Sequence, residues 1–323
     1  MPNAVRIHET GGSEVLSWEE VPDADTGPGE IRIAQTACGL NFIDVYHRTG
    51  LYPLELPTTL GMEAAGTVDA VGDGVTEFAV GERVAYAAVP VGAYTDQRVI
   101  PAHRVVKLPD AVSDQMAAAL MLQGMTAEYL LRRTYKVQPG DTVLFHAAAG
   151  GVGQLACQWL KQIGATVIGT VGSDEKAELA RAQGCDHAIV YSREDFVARV
   201  KDITDGKGVP VVYDSVGAST YEGSLDCLAP RGVLVLFGQA SGPVPPFNLG
   251  LLAQKGSLYI TRPTLMTYTA SRQNMLESSG ALFDAVANGL TVSINQTYPL
   301  QDTAQAHRDL EARKTSGSTV LLP

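Results

Sequence analysis

The chain has 323 residues, 45% of them hydrophobic and 18% charged, with a formal net charge of −11. Two domains of ordinary size are expected at this length, and no apolar run approaches the roughly 20 residues a bilayer-spanning helix requires. So acidic a surface repels phosphate backbones, which argues against unspecific nucleic-acid binding while leaving room for a small anion in a local basic pocket.

The N-terminus, M-P-N-A-V-R-I-H-E-T, has no basic start followed by an apolar stretch, so no secretory signal and a cytoplasmic location are expected. The first third is punctuated by glycine and proline. It reads as short strands: E-I-R-I-A-Q-T-A, G-T-V-D-A-V, E-R-V-A-Y-A, Y-T-D-Q-R-V-I and R-V-V-K-L. Turns such as Pro28-Gly29 and the G-D-G at 72–74 separate them. From about Ser113 the texture is helical, in D-Q-M-A-A-A-L-M-L-Q, with Ser113 as its N-cap, and in T-A-E-Y-L-L-R-R.

After Pro139-Gly140, strand and helix patterns alternate. The apolar run Thr142 to His146 is followed by Val152, Leu155, Ala156, Trp159, Leu160 and Ile163 at helical spacing. A-T-V-I-G-T-V, H-A-I-V-Y, V-P-V-V-Y-D, G-V-L-V-L-F-G and S-L-Y-I continue the strand series. Such alternation predicts a parallel sheet covered on both faces. The tail from about Arg262 predicts helices over 274–288 and 303–313 and a last strand, T-V-L-L, which returns to complete the first domain.

Within this second half, H-A-A-A-G-G-V-G (146–153) joins a strand to a helix. Backbone N–H groups and the helix dipole at such a turn favour an anion, and its glycines let a pyrophosphate approach. The spelling departs from G-x-G-x-x-G, and a lone glycine turn is a weak signal; its place at the head of five or six βα units gives it weight. An NAD site normally carries an acid at the end of the next strand. Here that strand runs into Gly172-Ser173, with Lys176 in the following first turn, while Asp174 and Glu175 read as helix-capping groups. The neutral corner with its lysine predicts NADPH.

The β-rich first third, A-C-G-L-N-F-I-D (37–44), G-M-E-A-A-G (61–66), G-E-R-V (81–84) and A-A-A-G-G-V-G resemble the medium-chain dehydrogenase/reductase superfamily over essentially the whole chain. N-F-I-D-V-Y-H-R-T-G-L-Y and H-A-A-A-G-G-V-G resemble its zinc-free NADPH:quinone oxidoreductases, the zeta-crystallin-like branch. The resemblance implies an α/β fold: a GroES-like β-rich catalytic domain over 1–125, completed by 262–323, and a Rossmann-type doubly wound parallel-sheet domain over 126–261 that binds NADPH. Zinc-dependent relatives carry Cys, His and Cys where this chain has Asn41, Met62 and Gln123, all poor zinc ligands, so no metal is expected. The four cysteines, Cys38, Cys157, Cys185 and Cys227, lie far apart in sequence and suit neither a structural zinc lobe nor a disulfide framework. They read as buried thiols. Zinc polarises an alcohol or carbonyl oxygen; a quinone, already electrophilic, does without it.

Residue by residue, the resemblance implies that Asn41, Tyr46 and Tyr52 are catalytic, with Asn41 and Tyr46 also touching the cofactor. Asn41 would fix a ligand through its amide, and the tyrosines would offer flat faces and hydroxyls to a quinone; packing of a surface loop is the alternative for the pair. Asp44 is expected to orient its neighbours, His47 to be a solvent-exposed bystander and His146 to be structural. Gly150, Gly151, Val152 and Gly153 fall at the pyrophosphate, and Ser173, Lys176 and Tyr191 at the 2′-phosphate. Ser215, Phe237, Gly238 and Ser241 fall at strand ends where doubly wound folds place ligands. Arg313 reaches the cofactor from the tail or serves as a helix C-terminal cation. The function implied is an NADPH-dependent quinone reductase, a homodimer without membrane or nucleic-acid partner. Reduction of activated alkenes (enones or enoyl thioesters) is the alternative chemistry. An RNA-binding or structural role, as in some relatives, is the alternative class, and the net charge weighs against RNA.

Overall fold

The structure, a computed structural model, describes residues 1–323. In chain order the elements begin β1 (Asn3–Ile7), β2 (Ser17–Glu20), β3 (Glu30–Leu40), α1 (Phe42–Arg48), β4 (Thr58–Thr59), β5 (Glu63–Val71), β6 (Arg83–Ala87), β7 (Gln97–Pro101), β8 (Val106–Lys107) and α2 (Asp114–Tyr129). There follow β9 (Thr142–His146), α3 (Gly151–Ile163), β10 (Thr166–Val171), α4 (Asp174–Ala182), β11 (His187–Val190), α5 (Phe196–Ile203), β12 (Val209–Asp214), α6 (Tyr221–Asp226) and β13 (Leu228–Leu236). The last are α7 (Gly250–Gln254), β14 (Tyr259–Thr261), α8 (Leu265–Tyr268), α9 (Arg272–Ala287), β15 (Ile294–Pro299), α10 (Thr303–Glu311) and β16 (Ser318–Leu322). They form two compact units, one of residues 1–125, 269–287 and 292–323, the other of 126–268 and 288–291.

The first unit is built on a seven-stranded sheet in the order β15-β16-β3-β5-β6-β8, with β7 also on β3, beside a small β2-β1-β4 sheet. β3 is its spine. One edge of β3 pairs with β7 over Glu30–Ala34 and then with β16 over Cys38–Leu40, while the other pairs with β5. Ile31, Ile33, Val68, Val84, Tyr86 and Ile100 close the core. At Gly39 an added Cβ would sit 2.1 Å from the Ala118 carbonyl oxygen and 2.4 Å from a Glu63 carboxylate oxygen. Only glycine lets β3 pass α2 and Glu63 that closely.

The second unit is an all-parallel six-stranded sheet in the order β11-β10-β9-β12-β13-β14. Strand order reverses between β9 and β12, the position where doubly wound sheets open a crevice beyond their carboxyl ends. The strands are apolar on both faces, and Leu144, Ile168, Val212 and Leu234 are fully buried. The α/β class and the parallel sheet therefore follow the sequence expectation.

Local boundaries differ in places. The two helical stretches after Ser113 form one helix, α2, prolonged by a π-helical turn over Leu130–Thr134. Ser113 caps it, its hydroxyl accepting the Met116 N–H at 3.2 Å. A boundary at 261 falls inside the second unit, which continues to Tyr268 because that ring stacks on Tyr129 with centroids 4.5 Å apart.

Candidate active site

β3 ends at Leu40, and Asn41 takes the extended conformation (φ −128°, ψ 154°) that starts α1. The carboxylate of Asp44 accepts the Asn41 backbone N–H at 2.9 Å and the Tyr94 hydroxyl at 2.8 Å, so Asp44 orients its neighbours as expected. Its second oxygen is buried without a partner, and burial pushes the carboxyl up to about 7. The Asn41 side chain points elsewhere: Nδ2 donates to Glu63 Oε2 at 2.7 Å, and Oδ1 accepts from Gln123 Nε2 at 3.1 Å. Gln123 in turn accepts the Ser318 hydroxyl at 2.7 Å, and Glu63 Oε1 accepts the Leu122 N–H at 2.7 Å. All four side chains are buried, and burial pushes the Glu63 carboxyl up to about 8. Met62, the third zinc-position residue, is buried in the same unit. No group of three or more His, Cys, Asp or Glu side chains is arranged to hold a metal ion.

α1 and the turn that follows it carry the aromatic residues. Tyr46 is buried and Tyr52 half-buried, their rings edge to face at 5.3 Å and 64°, with Phe42 5.4 Å from Tyr46 on its other side. The pair thus makes an angled corner. His47 departs from the expectation of a solvent-exposed bystander: it is only 6% exposed, its Nδ1 lacks a partner, and its ring lies 5.9 Å from Tyr52. The reason is that α1 is buried from Asp44 to Arg48, so its short length leaves no open face there. Burial pushes the His47 imidazole down to about 4, which keeps it neutral. Arg48 clamps the helix end through two bonds to Glu311, at 2.8 and 2.9 Å, and a contact with His307 Nδ1 at 3.2 Å.

In the second unit, the glycine turn follows β9 directly. Gly150 is the N-cap of α3 and brings no side-chain acceptor, so the first-turn N–H groups of Gly151, Val152 and Gly153 are left for an anion. A Cβ on Gly153 would lie 2.3 Å from the Ala147 carbonyl oxygen, so the helix start packs on the turn only with glycine there. Next along the sheet, a Cβ on Gly172 would lie 2.9 Å from the Tyr191 hydroxyl, which puts the exposed Tyr191 over the Gly172-Ser173 corner. Ser173 caps α4 by accepting the Lys176 N–H at 3.3 Å. Two acids stand here: Glu175, whose carboxyl a hydrogen bond with the Ser173 side chain holds below the usual range, and Asp174, held by Arg193 through two bonds of 2.5 and 2.6 Å, which depress its carboxyl likewise. A corner whose first acid, Asp174, is paired with Arg193 and which offers the Lys176 cation fits a nucleotide bearing a 2′-phosphate, and the open helix start fits its pyrophosphate.

The remaining positions of this unit lie at or just beyond other strand ends of its sheet. Ser215 follows Asp214 at the end of β12, and Phe237 and Gly238 follow β13, with Phe237 5.6 Å from Phe145. Ser241 donates to the Val216 carbonyl at 2.8 Å and accepts the Ser219 N–H at 3.0 Å, tying the two loops together. Arg313 belongs to the first unit, beyond α10, in a left-handed conformation (φ 58°). His146 is structural, as expected. Ser224 donates to Asp214 at 2.8 Å, so its oxygen accepts from His146 Nε2 at 3.0 Å, leaving Nδ1 to accept the Thr170 hydroxyl at 2.8 Å. The four cysteines are buried thiols. Glu63, Ser318 and Arg193 went unnoticed in the sequence, where the single hint for Glu63 is its place inside G-M-E-A-A-G.

Comparison with known proteins adds a lineage to this geometry. Residues 27–110 match the alcohol dehydrogenase GroES-like domain, and residues 151–279 the zinc-binding dehydrogenase domain. A quinone oxidoreductase of Pseudomonas aeruginosa is 53% identical over the full length of both chains. A 2-haloacrylate reductase of a Burkholderia species is 50% identical over 100% of this chain and 99% of its own. The crystal structure of Escherichia coli quinone oxidoreductase complexed with NADPH superposes with a TM-score of 0.98 at 50% identity, over 99% of this chain and 100% of that one.

Proposed function

The chain belongs to the medium-chain dehydrogenase/reductase superfamily, among its quinone oxidoreductases, and from that membership we propose that it reduces quinones with NADPH as the electron donor. The observation that carries this reading is the buried amide pair of Asn41 and Gln123, closed by Glu63, at the positions where zinc-dependent relatives hold their metal. Amides there offer hydrogen bonds to an oxygen that is already electrophilically activated, and catalysis in this reading is zinc-independent.

Bound NADPH supplies a hydride, which with one proton from a tyrosine hydroxyl or water converts the quinone to its hydroquinone. Gly150, Gly151, Val152 and Gly153 hold the pyrophosphate through backbone N–H groups. Ser173, Lys176 and Tyr191 receive the 2′-phosphate, with a charge-assisted bond from the lysine. Ser215, Phe237, Gly238 and Ser241 line the strand ends beside the dinucleotide, and Arg313 adds a cation from the tail. Asn41, Tyr46 and Tyr52 orient the quinone and exclude water from it.

In this reading the first unit, residues 1–125, 269–287 and 292–323, serves catalysis and the second, 126–268 and 288–291, holds NADPH. A cytoplasmic homodimer completes the proposal. No helix is long and apolar enough to cross a membrane, and β14, the terminal strand of the parallel sheet, exposes Tyr259 as an edge on which a second copy could pair. The relation to a 2-haloacrylate reductase favours one second reading, reduction of an activated alkene by the same donor. Steady-state NADPH oxidation against quinones, enones, enoyl thioesters and 2-haloacrylates separates them. Quinones are expected to give the highest kcat/KM; a higher value for any alkene would replace this reading with the second.

A further inference from the structure

The four buried side chains around Asn41 form a hydrogen-bond chain with a direction. At one end the Leu122 backbone N–H, which can only donate, points at Glu63 Oε1. Ionised, as it is above the value of about 8 to which burial lifts it, the Glu63 carboxylate only accepts, so Oε2 then takes a donor from Asn41, and the amide turns its nitrogen toward Glu63 and its oxygen toward Gln123. Gln123 must then donate to Asn41 and turn its own oxygen to Ser318, whose hydroxyl supplies the last proton. The links lie far apart in sequence, 22 residues from Asn41 to Glu63 and 195 from Gln123 to Ser318. Packing at Gly39, where any Cβ would strike Glu63 Oε2, makes room for the carboxylate.

The chain uses one of the two N–H bonds on the Asn41 nitrogen. We propose that Glu63 is a positioning residue that sets the direction of this chain, so that Asn41 presents its second N–H, a donor, to the substrate. The site then discriminates by hydrogen-bond polarity, taking the acceptor oxygens of a quinone in preference to the donor hydroxyls of the hydroquinone product. This rests on the quinone reading above. The far end of the chain has a second option, since Ser318 Oγ also lies 3.2 Å from the Ala119 carbonyl oxygen. With that acceptor to hand, the whole chain can reverse without moving a backbone.

Glu63→Gln tests this because it keeps the shape and replaces one acceptor with a donor. The Leu122 N–H retains the glutamine oxygen, the new NH2 faces Asn41, and both amides downstream turn over while Ser318 donates to Ala119. Asn41 would then present a carbonyl. Assayed at about pH 9, where wild-type Glu63 is ionised, the expected result is at least about a tenfold fall in kcat/KM for a naphthoquinone together with at least about threefold tighter inhibition by the matching hydroquinone. Opposite signs for substrate and product are what general loosening of the site would not produce. Unchanged kinetics, or a fall in quinone efficiency without tighter hydroquinone inhibition, would overturn the proposal. Neutron diffraction from wild-type crystals held at about pH 9 covers a variant that does not fold: deuterons are expected on the Asn41 atom facing Glu63 and the Gln123 atom facing Asn41, and the reverse would overturn it. Wild-type protein that turns over no quinone would refute the functional reading instead, with the neutron experiment still deciding the direction of the chain.

Discussion

Tyr52 is the residue whose removal separates substrate binding from packing. Its ring meets two others edge to face, Tyr46 at 5.3 Å and His47 at 5.9 Å. Each such pair contributes about 0.5–1.5 kcal/mol beyond area burial, so Tyr52→Ala should lower unfolding free energy by about 1–3 kcal/mol. Tyr52→Phe keeps both ring pairs and should stay within about 0.5 kcal/mol of wild type. If the same ring also receives the quinone, Tyr52→Ala forfeits a further stacking contact of about 0.5–1.5 kcal/mol, a roughly two- to tenfold loss in kcat/KM for a bulky naphthoquinone. Urea unfolding reads the first quantity and steady-state kinetics the second, with NADPH affinity followed by fluorescence titration and expected to change little. A folded Tyr52→Ala variant that is destabilised as stated yet reduces naphthoquinone at the wild-type efficiency would refute the substrate role and leave the ring as packing.

Other perturbations follow from the same geometry. Lys176→Ala should raise KM for NADPH by at least about tenfold while barely affecting NADH, since a charge-assisted bond of about 1.5–3 kcal/mol is lost to the 2′-phosphate alone; equal losses with both cofactors in steady-state assays would remove the lysine from that site. Arg193→Ala should weaken NADPH selectively by uncovering the Asp174 charge beside the same corner, and Asp174→Asn should restore it in the double variant; failure of that rescue in fluorescence titrations would mean that Arg193 acts some other way. Elemental analysis of purified protein is expected to find no stoichiometric zinc, and prolonged chelation to leave activity intact; about one zinc per chain with activity lost on chelation would overturn metal-free catalysis. Because burial lowers the folded-state value of His47 to about 4, its stabilising share is complete above the ordinary value near 6.5 and is lost as the pH falls toward 4. Between pH 7 and pH 5, wild type should lose about 2 kcal/mol more unfolding free energy than His47→Gln in urea titrations; parallel losses would show that the imidazole titrates freely.

Much of this molecule is written in short-range pattern. The βα alternation after Gly140 specifies the parallel sheet because strand and helix periods are properties of a few consecutive residues. The glycine turn and the neutral Gly172-Ser173 corner are legible for the same reason, since a backbone that must approach a phosphate needs particular residues at particular places in one segment. Asn41, Met62 and Gln123 likewise stand out one by one, as residue types where a zinc ligand would be expected.

What folding alone supplies is the partnership between distant positions. No local period connects Asn41 to Glu63, or Gln123 to Ser318; β3, β5, α2 and β16 bring them together, and the direction of their hydrogen bonds exists only once all four are buried with Leu122. His47 reads as a solvent-exposed bystander until the Arg48–Glu311 clamp shows α1 pressed into the first unit. Asp174 reads as a helix-capping acid until Arg193, 19 residues away, is seen to pair with it. A buried polar group takes its chemistry from whatever partner the fold delivers, and side-chain pairing across such separations leaves no trace in periodicity or composition.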